Sequence, residues 1–548
     1  MTDQNDILLG DHMQAWSMTV DRFITHAARW SGQHELVSRE ADGSIVRSTW
    51  ATSATRARQL SAVLAAAGIR PGERIATMAM NSARHVEAWY GIMGYGAVCH
   101  TLNPRLFEDQ LVFIINHASD RWLLADPQFA PLIEKLRPRC PTLERIIYLC
   151  GPDQLPAGAG VADYESLIDG RPTDVPWGTV DEHAPAALCY TSGTTGNPKG
   201  VLYSHRSQVL HAMICAQRDT MGMSVQDSVL AVVPMFHANA WALPFTAAAT
   251  GAKLVLPGAK LDGASLYELL ETEAVTLSAA VPTVWQALLD FLTTNRLPLS
   301  TLRRVIIGGS AVTEALIRGF RDGYGVEVLH AWGMTEMSPI GTISGAPPPA
   351  VAALGADARV AFNLKQGRAP FGIDMKITDD DEVRLPQDGV AQGHVRVQGP
   401  AIIARYFREP GEVLDAEGYF DTGDIATIDP HGYMQITDRA KDVIKSGGEW
   451  ISSVEIENIA ASHPKALMAA VIGVPDPRWR ERPLLIVRLR PGQEATAAEF
   501  LAWLDGKIAK WWMPDSVLFV DEMPLGATGK LDKKVLRARY AQAATPSE

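Results

Sequence analysis

Short apolar blocks alternate with helix-length amphipathic stretches through most of the chain. Residues 75–80 form an apolar run, residues 83–93 carry small and apolar side chains at helical spacing, and a second small-residue run ends at Val98. Together they predict a strand–helix–strand unit. The rhythm recurs: β-rich runs stand at 122–125, 229–234, 253–256, 277–281, 305–307 and 326–329, several of them separated by helix-length segments such as 265–273 and 314–324. This predicts α/β layers on largely parallel sheets, with ligands at the strand ends.

The texture changes after about Gly367. Turn residues at 379–381, 386–389 and 429–432 separate shorter strands, which predicts a β-rich subdomain over about 367–438. A last module has strands of its own at 468–474 and 484–489 and a helix over 497–510. The fold class expected is therefore α/β in a multidomain α+β arrangement. Residues 1–438 form a large N-terminal domain and residues 439–548 a small α+β C-terminal one, with the junction near 438–441.

Composition narrows the function classes. A chain of 548 residues with 47% apolar content supports more than one core. Its 50 basic and 62 acidic residues leave a formal charge of -12, which offers no general attraction to nucleic acid or anionic lipid. The five cysteines, Cys99, Cys140, Cys150, Cys189 and Cys215, have no C-x-x-C spacing, which argues against a disulfide framework and a zinc site and for a reducing, cytoplasmic setting. The first residues carry acids in place of a basic and then apolar leader, and apolar segments such as 241–256 are interrupted by Gly or Pro. Neither secretion nor a membrane span is expected.

The chemistry begins at YTSGTTGNPKGV, residues 190–201. Tyr190 ends an apolar strand, and the loop from Thr191 to Gly200 exposes backbone N–H groups. Gly193 and Gly196 permit torsions closed to other residues, Thr191, Ser192, Thr194 and Thr195 add hydroxyl donors, and Lys199 adds positive charge. The set suits a polyphosphate. Asn197 and Pro198 separate Gly196 from Lys199, and Gly200 follows where Ser or Thr is required, so the loop is not that of a Walker NTPase. A flexible polar linker is the plain alternative.

Four further clusters stand with it. Trp332, Gly333, Met334, Thr335 and Glu336 follow an apolar strand, and offer an aromatic face for a base, a hydroxyl for phosphate and a carboxylate for Mg²⁺. A core tryptophan beside a solvated glutamate would read the same way. Asp421 and Asp424, in a turn after Tyr419 and Phe420, suit ribose hydroxyls, with Arg439 as their complement; an Asp-rich turn is the alternative. KSGGEW at 445–450 has two bare glycines for close backbone approach, or is simply a turn. GATGK at 526–530 presents Lys530 on a loop tip, which on its own is ordinary surface charge.

These motifs, in this order, resemble over nearly the whole length the adenylate-forming acyl-CoA synthetases. Within them the chain is most similar to bacterial medium- and long-chain fatty acyl enzymes, through VVPMFHANAWALPF (232–245), WGMTEMSP (332–339) and DRAKDVIKSGGEWIS (438–452), and to 3-methylmercaptopropionate ligases. The resemblance implies a mobile C-terminal lid that rotates between two half-reactions, first acyl-AMP formation from Mg-ATP and a carboxylate, then displacement of AMP by the thiol of coenzyme A. It implies catalytic roles for Lys530, Glu336 and His237, and Mg²⁺ at Thr195 and Glu336. The nucleotide would be held by residues 191–196 with Lys199, by Gly309, Ser310 and Ala311, by His330, Ala331, Trp332, Gly333, Met334 and Thr335, and by Asp424 and Arg439. Lys441 falls at the hinge, and Lys445, Ser446, Gly447, Gly448, Glu449 and Trp450 would approach coenzyme A. Phe236, Trp241, Met334 and Gly341 would line the acyl pocket. His237 and Trp241 are equally readable as packed core residues. Relatives also imply a homodimer.

A peptide-synthetase adenylation domain would place a carboxylate after Phe236, where this chain has His237, Ala238 and Asn239. A luciferase-like oxygenase shares the adenylation motifs. A non-catalytic nucleotide-binding scaffold would require neither Glu336 nor Lys530.

Overall fold

The structure is a computed structural model that describes residues 13–158, 160–191, 197–446, 449–525 and 531–540. Two large sheets dominate it. One has eight strands in the order Ile340–Ile343, Glu327–Gly333, Arg304–Gly308, Leu277–Ala280, Ser228–Ala231, Lys253–Leu256, Glu35–Arg39 and Ile45–Thr49. Its interior pairs are parallel and its two outermost pairs antiparallel. The other has seven strands in the order Val161–Asp163, Arg145–Tyr148, Trp122–Ala125, Arg74–Met78, Val98–Thr101, Pro185–Thr191 and Lys199–Ser204, parallel except for the final hairpin.

Both sheets follow the rule that parallel strands are covered on two faces and read as continuous apolar runs. Every residue of Val98–Thr101, Trp122–Ala125 and Leu277–Ala280 is buried. Helices Trp50–Ala66 and Ala83–Tyr95 pack closely, because Gly91 has no side chain: a Cβ there would meet the Ala57 carbonyl oxygen at 2.8 Å. Both helices are started by a hydroxyl cap, Thr49 and Ser82 respectively.

The β-rich part is a four-stranded antiparallel sheet, Asp374–Thr378, Gly393–Gln398, Phe420–Ile428 and Met434–Arg439. After Arg439 come the hairpin Ile444–Ser446 with Glu449–Ile451, the helix Ser453–Ala461 and a three-stranded sheet of Ala466–Asp476, Arg480–Leu489 and Ser516–Phe519. Its terminal helix, Lys533–Tyr540, is anchored by charge. Lys533 Nζ lies 2.7 Å from Glu457 Oε1 and 2.6 Å from Ser453 Oγ, and the Ser453 N–H donates to Asp438 Oδ2.

Four sequence expectations need correction. The run at 229–234 leaves the sheet at Ala231, because Asn81 Nδ2 donates to the carbonyls of Ala231 and Val233 while its Oδ1 accepts the Met235 N–H. The phosphate-loop stem is longer than the sequence implies, since Lys199 and Gly200 pair with Thr191 and Tyr190. Asp421 and Asp424 lie within a strand, Phe420–Ile428, not in a turn; the strand is irregular there, with Gly423 at φ +69° and its N–H bonded to Asp421 Oδ1. The helix expected over 497–510 stops at Leu504, where Asp505 turns extended and Gly506 takes φ +72°.

Candidate active site

Among the described residues, two groups of candidates are brought together: Lys199 with Glu336, through Tyr406, and Trp332 with Asp424 and Arg439. Lys199 opens the second strand of the phosphate-loop hairpin, and residues 192–196 lie outside the described residues. Strand Glu327–Gly333 carries His330, Ala331 and Trp332 to the edge, and the turn Thr335–Met337 follows at once. Gly333 cannot carry a side chain, for a Cβ would sit 1.9 Å from the Pro339 carbonyl oxygen. Tyr203 OH donates to the Thr335 carbonyl at 2.6 Å and Ile403 N–H to the Glu336 carbonyl at 2.9 Å, so the turn is held from two sides.

Glu336 is buried, and its Oε1 accepts the Tyr406 hydroxyl at 2.9 Å. Burial pushes its carboxyl above the usual range, against that hydrogen bond and the nearby Arg439 and Lys199 charges. Lys199 Nζ lies 4.8 Å from the centre of the Tyr406 ring. Of these side chains, the buried carboxylate is the one whose chemistry could hold a divalent cation, while Arg439 and Lys199 close by suit anionic phosphate.

Trp332 is turned inward. Its indole N–H donates to Asp424 Oδ2 at 2.9 Å, and Asp424 Oδ1 meets Arg439 Nε at 2.8 Å. Both Trp332 and Asp424 are buried, so the aromatic face expected to receive a base is packed; a Cβ on Gly341 would lie 2.4 Å from Trp332 Cζ3. Gly309, at φ +85°, continues the edge of the neighbouring strand, followed by Ser310 and Ala311.

The Trp241 indole lies against Gly308 and Gly309: a Cβ on Gly308 would meet Trp241 Cη2 at 3.1 Å, and one on Gly309 would meet Val281 Cγ1 at 3.3 Å. Trp241 rides on five consecutive left-handed residues, Ala238, Asn239, Ala240, Trp241 and Ala242, with φ between 42° and 60°. None is glycine, and a run of this kind is costly and persists only where packing over-determines it. Asn239 supplies part of that packing, accepting from Cys189 Sγ at 3.3 Å and donating to Gln208 Oε1 at 3.2 Å. Phe236 and His237, just before, line a cleft with Tyr190, Thr101 and Asn103.

The remaining candidates make other contacts. Lys445 Nζ stands 3.6 Å from Asp380 Oδ2, Trp450 packs edge-on to His394, and Ser446 Oγ accepts from Arg482 at 3.4 Å. The Lys441 carbonyl accepts from Arg537 at 3.3 Å. Gly447, Gly448 and Lys530 lie outside the described residues, as does the Glu449 side chain. Sequence reasoning missed Tyr406, whose only signal is an aromatic doublet in an otherwise unremarkable ARYFREP segment, and Asn81 and Tyr203, which act through hydrogen bonds to distant backbone.

Residues 23–407 match the model of the AMP-binding enzyme family, and residues 455–530 that of the AMP-binding enzyme C-terminal domain. The chain belongs to the AMP-binding enzymes. It is 48% identical, over 97% of its length and 99% of the relative's, to the 3-methylmercaptopropionyl-CoA ligase of Ruegeria lacuscaerulensis. It is 46% identical, over 97% of its length and 98% of the relative's, to the medium-chain-fatty-acid–CoA ligase of Ectopseudomonas oleovorans. The solved anthranilate CoA ligase AuaEII, in complex with anthranoyl-AMP, superposes with a TM-score of 0.84 at 26% identity, covering 96% of this chain and 98% of that one. This AMP-binding enzyme is thus an adenylate-forming acyl-CoA ligase, for which ATP and coenzyme A are substrates.

Proposed function

We propose that the enzyme activates 3-methylmercaptopropionate or a fatty acid of similar reach. The observation that carries this is the 48% identity, along nearly the full chain, to a ligase named for that acid. The Trp241 indole set over Gly308 supports a pocket of limited depth. A longer-chain reading is favoured by the 46% identity to a medium-chain ligase.

A carboxylate oxygen of the acid attacks the α-phosphorus of ATP, the bond to the bridging oxygen breaks, and pyrophosphate leaves. The thiolate of coenzyme A then attacks the acyl carbon and AMP leaves with the oxygen that the acid contributed. Lys199 and the loop hydroxyls take the departing phosphates, where fixed positive charge stabilises charge that develops in the transition state. Thr335 orients the α-phosphate, Asp424 and Arg439 hold the ribose, and the backbone at Gly309, Ser310 and Ala311 meets the adenine. Trp332 contributes by fixing Asp424 rather than by stacking.

The Glu336 carboxylate fits Mg²⁺, which is held by one or two carboxylates together with substrate phosphates and water, and Thr195 would complete its protein contacts. When bound, the ion would supply charge neutralisation of the phosphates that these residues hold. Residues 439–548 act as the lid, hinged near 438–441: Lys530 serves adenylation, and residues 445–450 serve the thiol step with His237 at its mouth. The expected setting is cytoplasmic and the expected assembly a homodimer; among the described residues no helix is long and apolar enough to cross a membrane.

Comparing kcat/KM for propionate, butyrate, 3-methylmercaptopropionate, octanoate and palmitate tests the substrate. The highest value is expected with 3-methylmercaptopropionate or butyrate, and a maximum at palmitate overturns the reading.

A further inference from the structure

We propose that residues 406–408 are a clasp that positions the phosphate-handling groups for adenylation, with Arg408 and Tyr190 as positioning residues. The proposal rests on the roles given above to Lys199 and Glu336.

Three consecutive residues of the segment after the Gly393–Gln398 strand reach Glu336, Lys199 and the second strand of the phosphate-loop hairpin. Tyr406 holds the Glu336 carboxylate and lies under Lys199. Phe407 N–H donates to the Gly200 carbonyl at 2.8 Å, next to Lys199 on the loop's second strand. A Cβ at Gly200 would lie 3.1 Å from both Phe407 Cβ and Tyr190 Cζ, a tight contact that leaves little room for a side chain there. Arg408 donates to the His117 carbonyl and, at 3.1 Å, to Ser119 Oγ.

His117 closes the circuit. It sits in the last turn of helix Glu108–Ala118, packs edge-on to the Phe407 ring at 5.6 Å, and its Nδ1 is hydrogen-bonded to the Tyr190 hydroxyl at 2.6 Å. Tyr190 faces Gly200 across the hairpin, at the base of the loop's first strand. Both strands that carry the phosphate loop are therefore tied to the same tripeptide, one directly and one through His117.

Arg408 holds this position at φ +59°, a backbone conformation arginine adopts at a cost, and spends its guanidinium on the carbonyl end of a helix, where cations are favoured. A segment whose role was only to fasten the β-rich part to the rest would not need to meet Glu336, Lys199 and both loop strands at once.

The test uses full-length wild type, Arg408→Ala, Arg408→Lys, Tyr190→Phe and the Arg408→Ala/Tyr190→Phe double variant. Calorimetry without any carboxylate reads Mg-ATP binding; ATP–pyrophosphate exchange and thioester formation from supplied acyl-AMP read the two half-reactions. Arg408→Ala and Tyr190→Phe should each weaken Mg-ATP binding about tenfold, the size of one hydrogen bond to a charged or well-placed group. The double variant should lose less than the product of the two, Arg408→Lys should recover most of the binding, and thioester formation should stay within about twofold of wild type. Unchanged Mg-ATP binding in Tyr190→Phe and Arg408→Ala overturns the clasp, as does equal damage to both half-reactions. A wild type that binds no Mg-ATP sinks the reading of the site and the clasp together, whereas an active wild type with indifferent variants sinks the clasp alone.

Discussion

The indole N–H of Trp332 donates to Asp424 Oδ2 across 2.9 Å, tying the end of the eight-stranded sheet to the β-rich subdomain. With Arg439 on the other carboxylate oxygen, Asp424 has one fixed orientation. Trp332→Phe keeps most of the packing and removes this donor. Because a hydrogen bond to a charged group contributes about 1.5–3 kcal/mol, the KM for ATP should rise about tenfold or more. Gly341→Ala, which pushes on the same ring, should move KM the same way. Unaltered ATP kinetics in Trp332→Phe would return Trp332 to a purely packed role.

Removal of the Trp241 ring opens the space over Gly308 and Gly309. Trp241→Ala should shift the optimum of kcat/KM to longer acyl chains, with each methylene accommodated contributing about 0.8 kcal/mol. A competition assay across chain lengths reads this, and an unchanged profile would contradict a gating position.

Acid should destabilise the fold through buried neutral histidines. Burial holds His211 down to about 3 from an ordinary 6.5, and its Nε2 accepts the Ile340 N–H at 3.1 Å. The unfolded chain binds this proton first, so the contribution is complete above about 6.5 and is lost as pH falls toward 3. Each such group steepens the fall by up to about 1.4 kcal/mol per pH unit. His85, His205 and His330, each held down to about 4, act in the same sense. Glu87 and Asp126, pushed up by burial to about 7, act oppositely: their contribution is present at low pH and lost as pH rises through about 7. The comparison must therefore be made on one residue. His211→Gln keeps an acceptor for Ile340, and its melting temperature should drop less than that of wild type between about pH 7 and about pH 5. Parallel curves would mean that His211 does not carry the effect.

Lys530→Ala should lower acyl-AMP formation by about 10²-fold or more, the cost of removing one preorganised transition-state donor, while thioester formation from supplied acyl-AMP survives. Rapid-quench measurement of each half-reaction separates these, and equal losses in both would contradict the assignment.

The parallel core was legible in the sequence because strands buried on both faces are uninterrupted apolar runs: 122–125 and 253–256 coincide with strands Trp122–Ala125 and Lys253–Leu256. Helix Glu314–Tyr324 was legible too, from its amphipathic spacing and the glycine that ends it. Element ends set by distant partners were not legible. Strand Ser228–Ala231 ends where Asn81, distant in sequence, takes the carbonyls of Ala231 and Val233, and no local pattern announces it. The loop at 191–199 and the Thr335–Glu336 turn stood out as candidates because phosphate and cation chemistry demands particular residue types. The hydrogen bond from Trp332 to Asp424 was not legible, since an aromatic beside such a motif looks the same whether its face or its N–H is used. Tyr406 was missed because its contribution depends on a tertiary approach to Glu336.

The central claim is that the carboxylate is activated as an acyl-adenylate before the thiol arrives. Incubating the enzyme with Mg-ATP, coenzyme A and ¹⁸O-labelled 3-methylmercaptopropionate, then weighing the products by mass spectrometry, tests it most directly. The account predicts acyl-CoA and AMP in equal amounts, with one ¹⁸O carried into the AMP and none into pyrophosphate. Label in inorganic phosphate, with ADP in place of AMP, or thioester formed with unlabelled AMP, would contradict it.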